Sequence, residues 1–266
     1  MSEIILHNAV AKETYWVDIN HYPDGSPRIS IPQSRFETMI LRPRTLESFT
    51  AAMFLIDAMA ERGNYIQHLI FPHVMGSRQD RLNPQGDYLF TIKSVAKMIN
   101  HRDIYKVTVL DPHSDVTSAL IDRCEAIPPS RILKGFWQGY TGVIAPDAGA
   151  AKRAFDVATT LNLEFHQAEK HRDVATGALT GFAAPSIEKG GAYLVVDDIC
   201  DGGGTFIGLG EIIKERGAYA DLYVTHGIFS KGLDELKKYY KNVYTTDSTL
   251  WNHDGALKVN YVEGML

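Results

Sequence analysis

The chain has 266 residues, 45% hydrophobic and 22% charged, and its 27 Lys and Arg against 32 Asp and Glu leave a net charge of −5. That is the make-up of a globular chain with one large domain or two of about 130 residues. Its acidic balance argues against nucleic acid or an anionic membrane as the main partner. Two isolated cysteines, Cys124 and Cys200, give neither a disulfide framework nor zinc-ligand spacing, and suit a reducing compartment. The opening MSEIILHNAV carries no basic flank and long apolar core, and no run of about 18 apolar residues follows. A cytoplasmic protein without a signal peptide or transmembrane helix is the expectation.

Short apolar, β-branched runs alternate with helical patterns along the chain. The spacing predicts a helix over 46–63, a strand at 67–74 (QHLIFPHV), a helix over 90–100 and a strand at 106–111 (KVTVLD). Pro128 and Pro129 in EAIPPSRIL mark a junction. Beyond it come a strand at 141–147, a helix over 148–162, a strand at 192–198, a helix over 205–217 and a strand at 220–227. Gly63 and Gly217 stand where C-terminal caps belong. Strands alternating with helices imply parallel sheets with right-handed crossovers. The expected fold is therefore α/β, as two mainly parallel, helix-flanked sheets, in domains 1–128 and 129–266.

In such sheets ligands gather at the carboxyl ends of the strands. There the chain places GSRQDR, LDPHSD, APDAG, DDICDGGGT and THGIFS, and this recurrence of polar and glycine-rich residues is the main functional signal. In VVDDICDGGGTF (195–206), glycine backbone N–H groups can form a concave nest for an anion, with the dipole of a helix starting near Thr205 behind it. A terminal phosphate fits Asp201, Gly202, Gly203, Gly204 and Thr205. Carboxylates repel phosphate, so Asp197 and Asp198 suit ribose hydroxyls or the hydration shell of a magnesium ion instead. A helix N-cap and tight turn would use the same residues. No GK[ST] follows, so this is not a Walker loop.

VVDDICDGGGTF resembles the phosphoribosyl-pyrophosphate (PRPP) loop of type I phosphoribosyltransferases, which consume PRPP, and of ribose-phosphate pyrophosphokinases, which make it. Other segments, in order, resemble the pyrophosphokinases. GSRQDR (76–81) is similar to their ATP-binding segment and implies ATP contacts by Arg78 and Gln79. VLDPHSD (109–115) resembles a strand end that puts His113 beside the metal–triphosphate. IAPDAGAAKRA (144–154) resembles a segment that makes Asp147 a magnesium ligand. THGIFS (225–230) is similar to the segment after the PRPP strand. AEKHRDVATG (168–177) resembles a mobile loop with a K-x-R pair, here Lys170 and Arg172, which implies catalytic cations. HYPDGSPRI (21–29) resembles a segment reaching adenine from a neighbouring subunit. It implies ATP contacts by Tyr22 and Asp24, with Ser26 where the family has Glu.

The resemblance implies a phosphoribosyltransferase-like fold in both domains, Mg2+ as cofactor, ATP and ribose 5-phosphate as substrates, and a homo-oligomer that binds neither nucleic acid nor membrane. The implied reaction moves the β,γ-diphosphoryl group of ATP to the 1-hydroxyl of ribose 5-phosphate, giving PRPP and AMP. A PRPP-consuming phosphoribosyltransferase is the first alternative, although it has no need of RQDR, DPH and a second α/β half. A non-catalytic regulatory relative is the second, although such a chain would be expected to lose parts of the loop or metal site.

Overall fold

The computed structural model describes residues 3–82, 86, 89–134, 139–172, 179–183, 186–249, 257–259 and 262. They divide into two compact units, one holding 3–127 together with Ser248, Thr249 and Val262, the other 128–247 and 257–259.

The first unit opens with the strands β1 (Ile4–Asn8) and β2 (Glu13–Val17), then a small antiparallel hairpin of β3 (Ile19–His21) and β4 (Pro27–Ile29). It continues through β5 (Thr38–Leu41), α1 (Leu46–Ala60), β6 (His68–Ile70), α2 (Thr91–Asn100), β7 (Lys106–Leu110), α3 (Asp115–Leu120) and β8 (Cys124–Ile127). Its six-stranded sheet has the order β2-β1-β5-β6-β7-β8. The four strands from β5 to β8 are parallel, and β1 and β2 extend the sheet antiparallel at one edge. Phe49 of α1 and Phe71 after β6 are fully buried and stack at 5.8 Å in the core.

The second unit comprises α4 (Pro129–Leu133), β9 (Gly142–Ala145), a 3-10 turn at Ala148–Ala150, α5 (Ala151–Leu161), β10 (Glu164–Gln167), β11 (Glu169–Arg172), β12 (Leu179–Ala183), β13 (Ala192–Cys200), α6 (Gly204–Glu215), β14 (Tyr219–Gly227), α7 (Asp234–Lys237), β15 (Val243–Thr246) and β16 (Leu257–Val259). Its main sheet, β10-β9-β13-β14-β15-β16, is parallel throughout, and β11 and β12 form a separate antiparallel pair. A parallel sheet buried on both faces needs near-continuous apolar strands. β13 and β14 meet that need, since Leu194–Val196 and Leu222–Val224 are fully buried. Tyr240 is buried with them, and its hydroxyl donates to the Phe206 carbonyl of α6 at 2.7 Å.

Helix ends are closed by local capping. Thr45 and Ser48 form a reciprocal capping box at α1. At its far end Gly63 lies at φ 72°, its N–H bonds the Ala60 carbonyl and the next N–H, of Asn64, reaches back to Met59. Gly217 closes α6 in the same way, and Asn162, at φ 55°, closes α5. Such a left-handed C-cap frees the chain to turn back into the next parallel strand.

The two α/β halves match the expected class, with differences in detail. The stretch 67–74 forms a strand only over His68–Ile70. Pro72 has no N–H for the ladder, so the chain leaves the sheet there, after its carbonyl accepts from Leu110 at 3.0 Å. β1, β2, β5, β8, β10 and β15 were not foreseen, because at four or five residues they present no clear period. No helix among the described residues is long and apolar enough to cross a membrane.

Gly210 lies where α6 meets the segment after α7. A Cβ there would sit 2.7 Å from Tyr239 Cβ and 3.0 Å from the Tyr240 ring. Gly210→Ala is therefore expected to lower stability by about 1–3 kcal/mol, because overpacking outweighs the gain in helix propensity. Urea unfolding checks this.

Candidate active site

β13 carries the core of the site. Its last turn of sequence puts Asp197 and Asp198 side by side, then ends at Cys200 before the loop 201–203 and α6. The Asp198 N–H donates to Asp197 Oδ1 at 2.8 Å. Asp198 is buried and Asp197 nearly so, which sets two carboxyl groups together away from water. Desolvation, then the charge of Asp198, push the Asp197 carboxyl up to about 8, against the pull of Arg153. Arg153 comes from α5: its Nε is 3.7 Å from Asp197 Oδ1 and its Nη1 3.6 Å from Asp198 Oδ1.

Asp147 explains how Arg153 arrives there. Its carboxylate accepts from the Ala150 N–H at 3.2 Å and caps the 3-10 turn that leads into α5. One segment, PDAGAAKR, thus starts a helix and presents a cation to β13. Arg153 lay inside the motif singled out from the sequence but was not picked as a site residue. A basic residue on an amphipathic helix ordinarily reads as solvated, and only its side-chain burial shows otherwise.

Gly203 is left-handed at φ 77°, a conformation that glycine adopts without strain, and it precedes the first turn of α6. A Cβ on Gly204 would meet nothing within 4 Å, so the start of this helix is open on that side. The loop is tied down from β14, since the Cys200 carbonyl accepts from both Ile228 N–H (2.9 Å) and Phe229 N–H (3.0 Å). No side chain fits at Gly227, where a Cβ would lie 2.4 Å from the Phe229 ring. Asp201, Gly202, Gly203, Gly204 and Thr205 therefore form a braced loop with backbone N–H groups at a helix N-terminus, the arrangement that binds phosphate. Burial and the adjacent carboxylates Asp197 and Asp201 push the Cys200 thiol up to about 12.

The structure places Lys170 and Arg172 on β11, opposite Phe182 and Leu179 of β12, with a register irregularity between His171 and Arg172. The segment 173–178 that follows lies outside the described residues.

The remaining candidates lie in the first unit. Arg78 and Gln79 line a cavity of about 570 Å³ with Leu46, His73, Met75, Gly76, Ser77, Thr91 and Val95. Gly76 is left-handed at φ 77°, and Thr91 at the start of α2 donates to the Gln79 side chain. His73 shares this cavity and was not singled out from the sequence. His113 is partly buried after β7, two residues beyond Asp111, a buried residue held at φ 34°. Tyr22 and Asp24 sit on the tip between β3 and β4. Asp24 Oδ1 accepts from the Ser26 hydroxyl at 2.6 Å and from its N–H at 3.0 Å, and these bonds hold the carboxyl below its usual range. Ser26 thus serves the turn itself. Tyr22 is 52% exposed, with Arg28 over its ring at 5.9 Å.

Among the described residues no three His, Cys, Asp or Glu side chains converge as a ready metal cage. Magnesium does not require one, since it keeps several waters and takes one or two carboxylates plus substrate phosphates. The hard oxygens of Asp147, Asp197 and Asp198 fit that demand.

Residues 117–257 match the family described as "Phosphoribosyl transferase domain". The ribose-phosphate pyrophosphokinase of Pyrococcus furiosus is 30% identical over 244 residues, covering 87% of this chain and 85% of that protein. The enzyme of the same name from Xanthomonas campestris is 28% identical over 227 residues, covering 80% and 70%. In fold, the chain is similar to the phosphoribosylpyrophosphate synthetase of Mycobacterium smegmatis, with a TM-score of 0.72 over 91% of this chain and 86% of that one, at 19% identity.

The raised Asp197 carboxyl has a consequence in solution. Folded, it keeps its proton until about pH 8; unfolded, it loses it near 3.8. The native state thus binds the extra proton across that window, so its contribution to stability is whole below about pH 4 and is lost as pH rises toward 8. Asp197→Asn removes this dependence. Urea unfolding between pH 5 and 8 is expected to show the variant gaining on the parent as pH rises, whereas parallel curves would mean that Asp197 is ionised throughout.

Proposed function

The chain belongs to the ribose-phosphate pyrophosphokinase family, and from that premise we propose that it transfers the β,γ-diphosphoryl group of ATP to the 1-hydroxyl of ribose 5-phosphate, releasing AMP and PRPP. The observation that carries this reading is the pairing, on one strand and its following loop, of a braced anion site with a carboxyl pair held by Arg153. A phosphorylated sugar needs both: N–H donors for its phosphate and acceptors for its hydroxyls.

In this reading Asp201, Gly202, Gly203, Gly204 and Thr205 hold the 5-phosphate. Asp197 and Asp198 take the ribose hydroxyls, and Arg153 keeps the pair in place and favours its ionised form. Arg78 and Gln79 are assigned to ATP at their cavity, and His113 is assigned to its triphosphate. Tyr22 and Asp24, exposed on their hairpin, are assigned to adenine of a neighbouring copy in a homo-oligomer. Asp147 and His113, each within its own unit, are separately assigned to Mg2+, which when bound would neutralise triphosphate charge.

The reaction forms a bond between the sugar O1 and the β-phosphorus, breaks the bond from that phosphorus to the α,β-bridging oxygen, and releases the hydroxyl proton. AMP departs with the bridging oxygen. The protein's part is mostly positioning and neutralisation of charge. Lys170 and Arg172 are assigned to the charge that develops on the phosphoryl oxygens in flight, which makes them the groups most specific to the transition state.

Purified protein with ATP, magnesium and ribose 5-phosphate is expected to form AMP and PRPP in equal amounts. Consumption of PRPP with a nucleobase, and no AMP from ATP, would replace this reading by phosphoribosyl transfer. Lys170→Ala is expected to lower kcat by about 100-fold or more while ribose 5-phosphate still binds. Unchanged turnover would remove Lys170 from the mechanism.

A further inference from the structure

The braced loop faces an electrostatic problem. Asp197, Asp198 and Asp201 all lie within the strand and loop that would receive a phosphate dianion, and the guanidinium of Arg153 is turned to the first two. Backbone N–H groups and the Thr205 hydroxyl would have to hold the anion beside them.

A second cation reaches the loop from elsewhere. Lys231 follows β14 in the turn that leads to α7, and its stem lies across the loop: a Cβ placed on Gly202 would be 3.6 Å from its Cε and 3.7 Å from its Cδ. The ammonium is one bond further on. Lys231 makes no hydrogen bond or ion pair with a described residue. The backbone around it is fixed. Ile228 and Phe229 are bonded to the Cys200 carbonyl, and the Gly232 N–H closes a turn on the Phe229 carbonyl at 2.8 Å. Phe229, Leu233 and Leu236 are buried, and Leu236 also lies against Gly203, 3.5 Å from where its Cβ would be. The loop and the segment carrying Lys231 therefore form one packed unit, and Lys231 is the cation that it brings to Gly202.

We propose that Lys231 is a phosphate-binding residue of this site, its ammonium held over Gly202 to contact the 5-phosphate of the sugar. This rests on the proposed function above. A lysine suits the role because it is a compact charge with rotatable donors that can follow a phosphate at the rim of the loop. Its effect belongs in ground-state sugar binding, because the 5-phosphate does not react.

Calorimetric titration of ribose 5-phosphate, with magnesium and a non-hydrolysable ATP analogue present, tests this on the parent, Lys231→Met and Lys231→Arg. The Met variant is expected to bind about tenfold more weakly, and the Arg variant to recover most of the loss. Affinity for the ATP analogue should be unchanged, and the gap between parent and Met variant should narrow as salt is raised. Equal ribose 5-phosphate affinities for parent and Met variant would overturn the role of Lys231 and leave the proposed function standing. A loss shared equally by the nucleotide and the sugar would also overturn it, as the mark of a structural residue. A parent that binds no ribose 5-phosphate would overturn the function itself, and the assignment of Lys231 with it.

Discussion

Two carboxyl groups on successive residues of a buried strand repel each other and resist the loss of water. Asp197 and Asp198 are tolerated at the end of β13 because one of them can keep a proton and because Arg153 lies between 3 and 4 Å from both. Much of the second unit is arranged around that interaction. Asp147 caps the turn into α5, which delivers Arg153, while β9 and β14 flank β13 and keep it dry. The pair is then a set of acceptors whose charge responds to what binds. A ligand offering hydroxyl protons or a cation favours ionisation, and an empty site favours the proton.

The glycine loop answers the opposite demand on the same stretch of chain. Five residues past the carboxyl pair the backbone turns left-handed at Gly203 and exposes N–H groups at the start of α6. Acceptors and donors are separated by the direction of the strand, so a ligand with hydroxyls at one end and phosphate at the other meets complementary groups at both. The double hydrogen bond to the Cys200 carbonyl holds that separation constant.

What could be read from the residues followed from period and punctuation. The apolar run before Asp197, the helices over 46–63 and 205–217, and their glycine caps are local signals, and the structure returns them within a few residues. The strand-end motifs were legible too, because topology alone sends them to one edge of each sheet. Short strands such as β5 and β15 were not, since four residues without alternation carry no period. Arg153 and Lys231 escaped for a different reason. Each is an ordinary basic residue in its own segment, and its significance lies in a neighbour distant in the chain: the carboxyl pair for the first, Gly202 for the second. Ser26 was noticed as a departure, but its bond to Asp24 could be seen only in the folded turn.

Cys200 stands at the hinge of this arrangement, one residue before the loop, and its thiol is fully buried and pushed up to about 12 between two carboxylates. Reaction with oxidants and alkylating agents runs through the thiolate, which such surroundings suppress by orders of magnitude at neutral pH. The burial that raises the Asp197 carboxyl thus also shields Cys200 from redox chemistry. Slow labelling of Cys200 would report how often β13 and the β14 loop part from each other, and a bound sugar phosphate, by bracing the same loop, would slow that clock further.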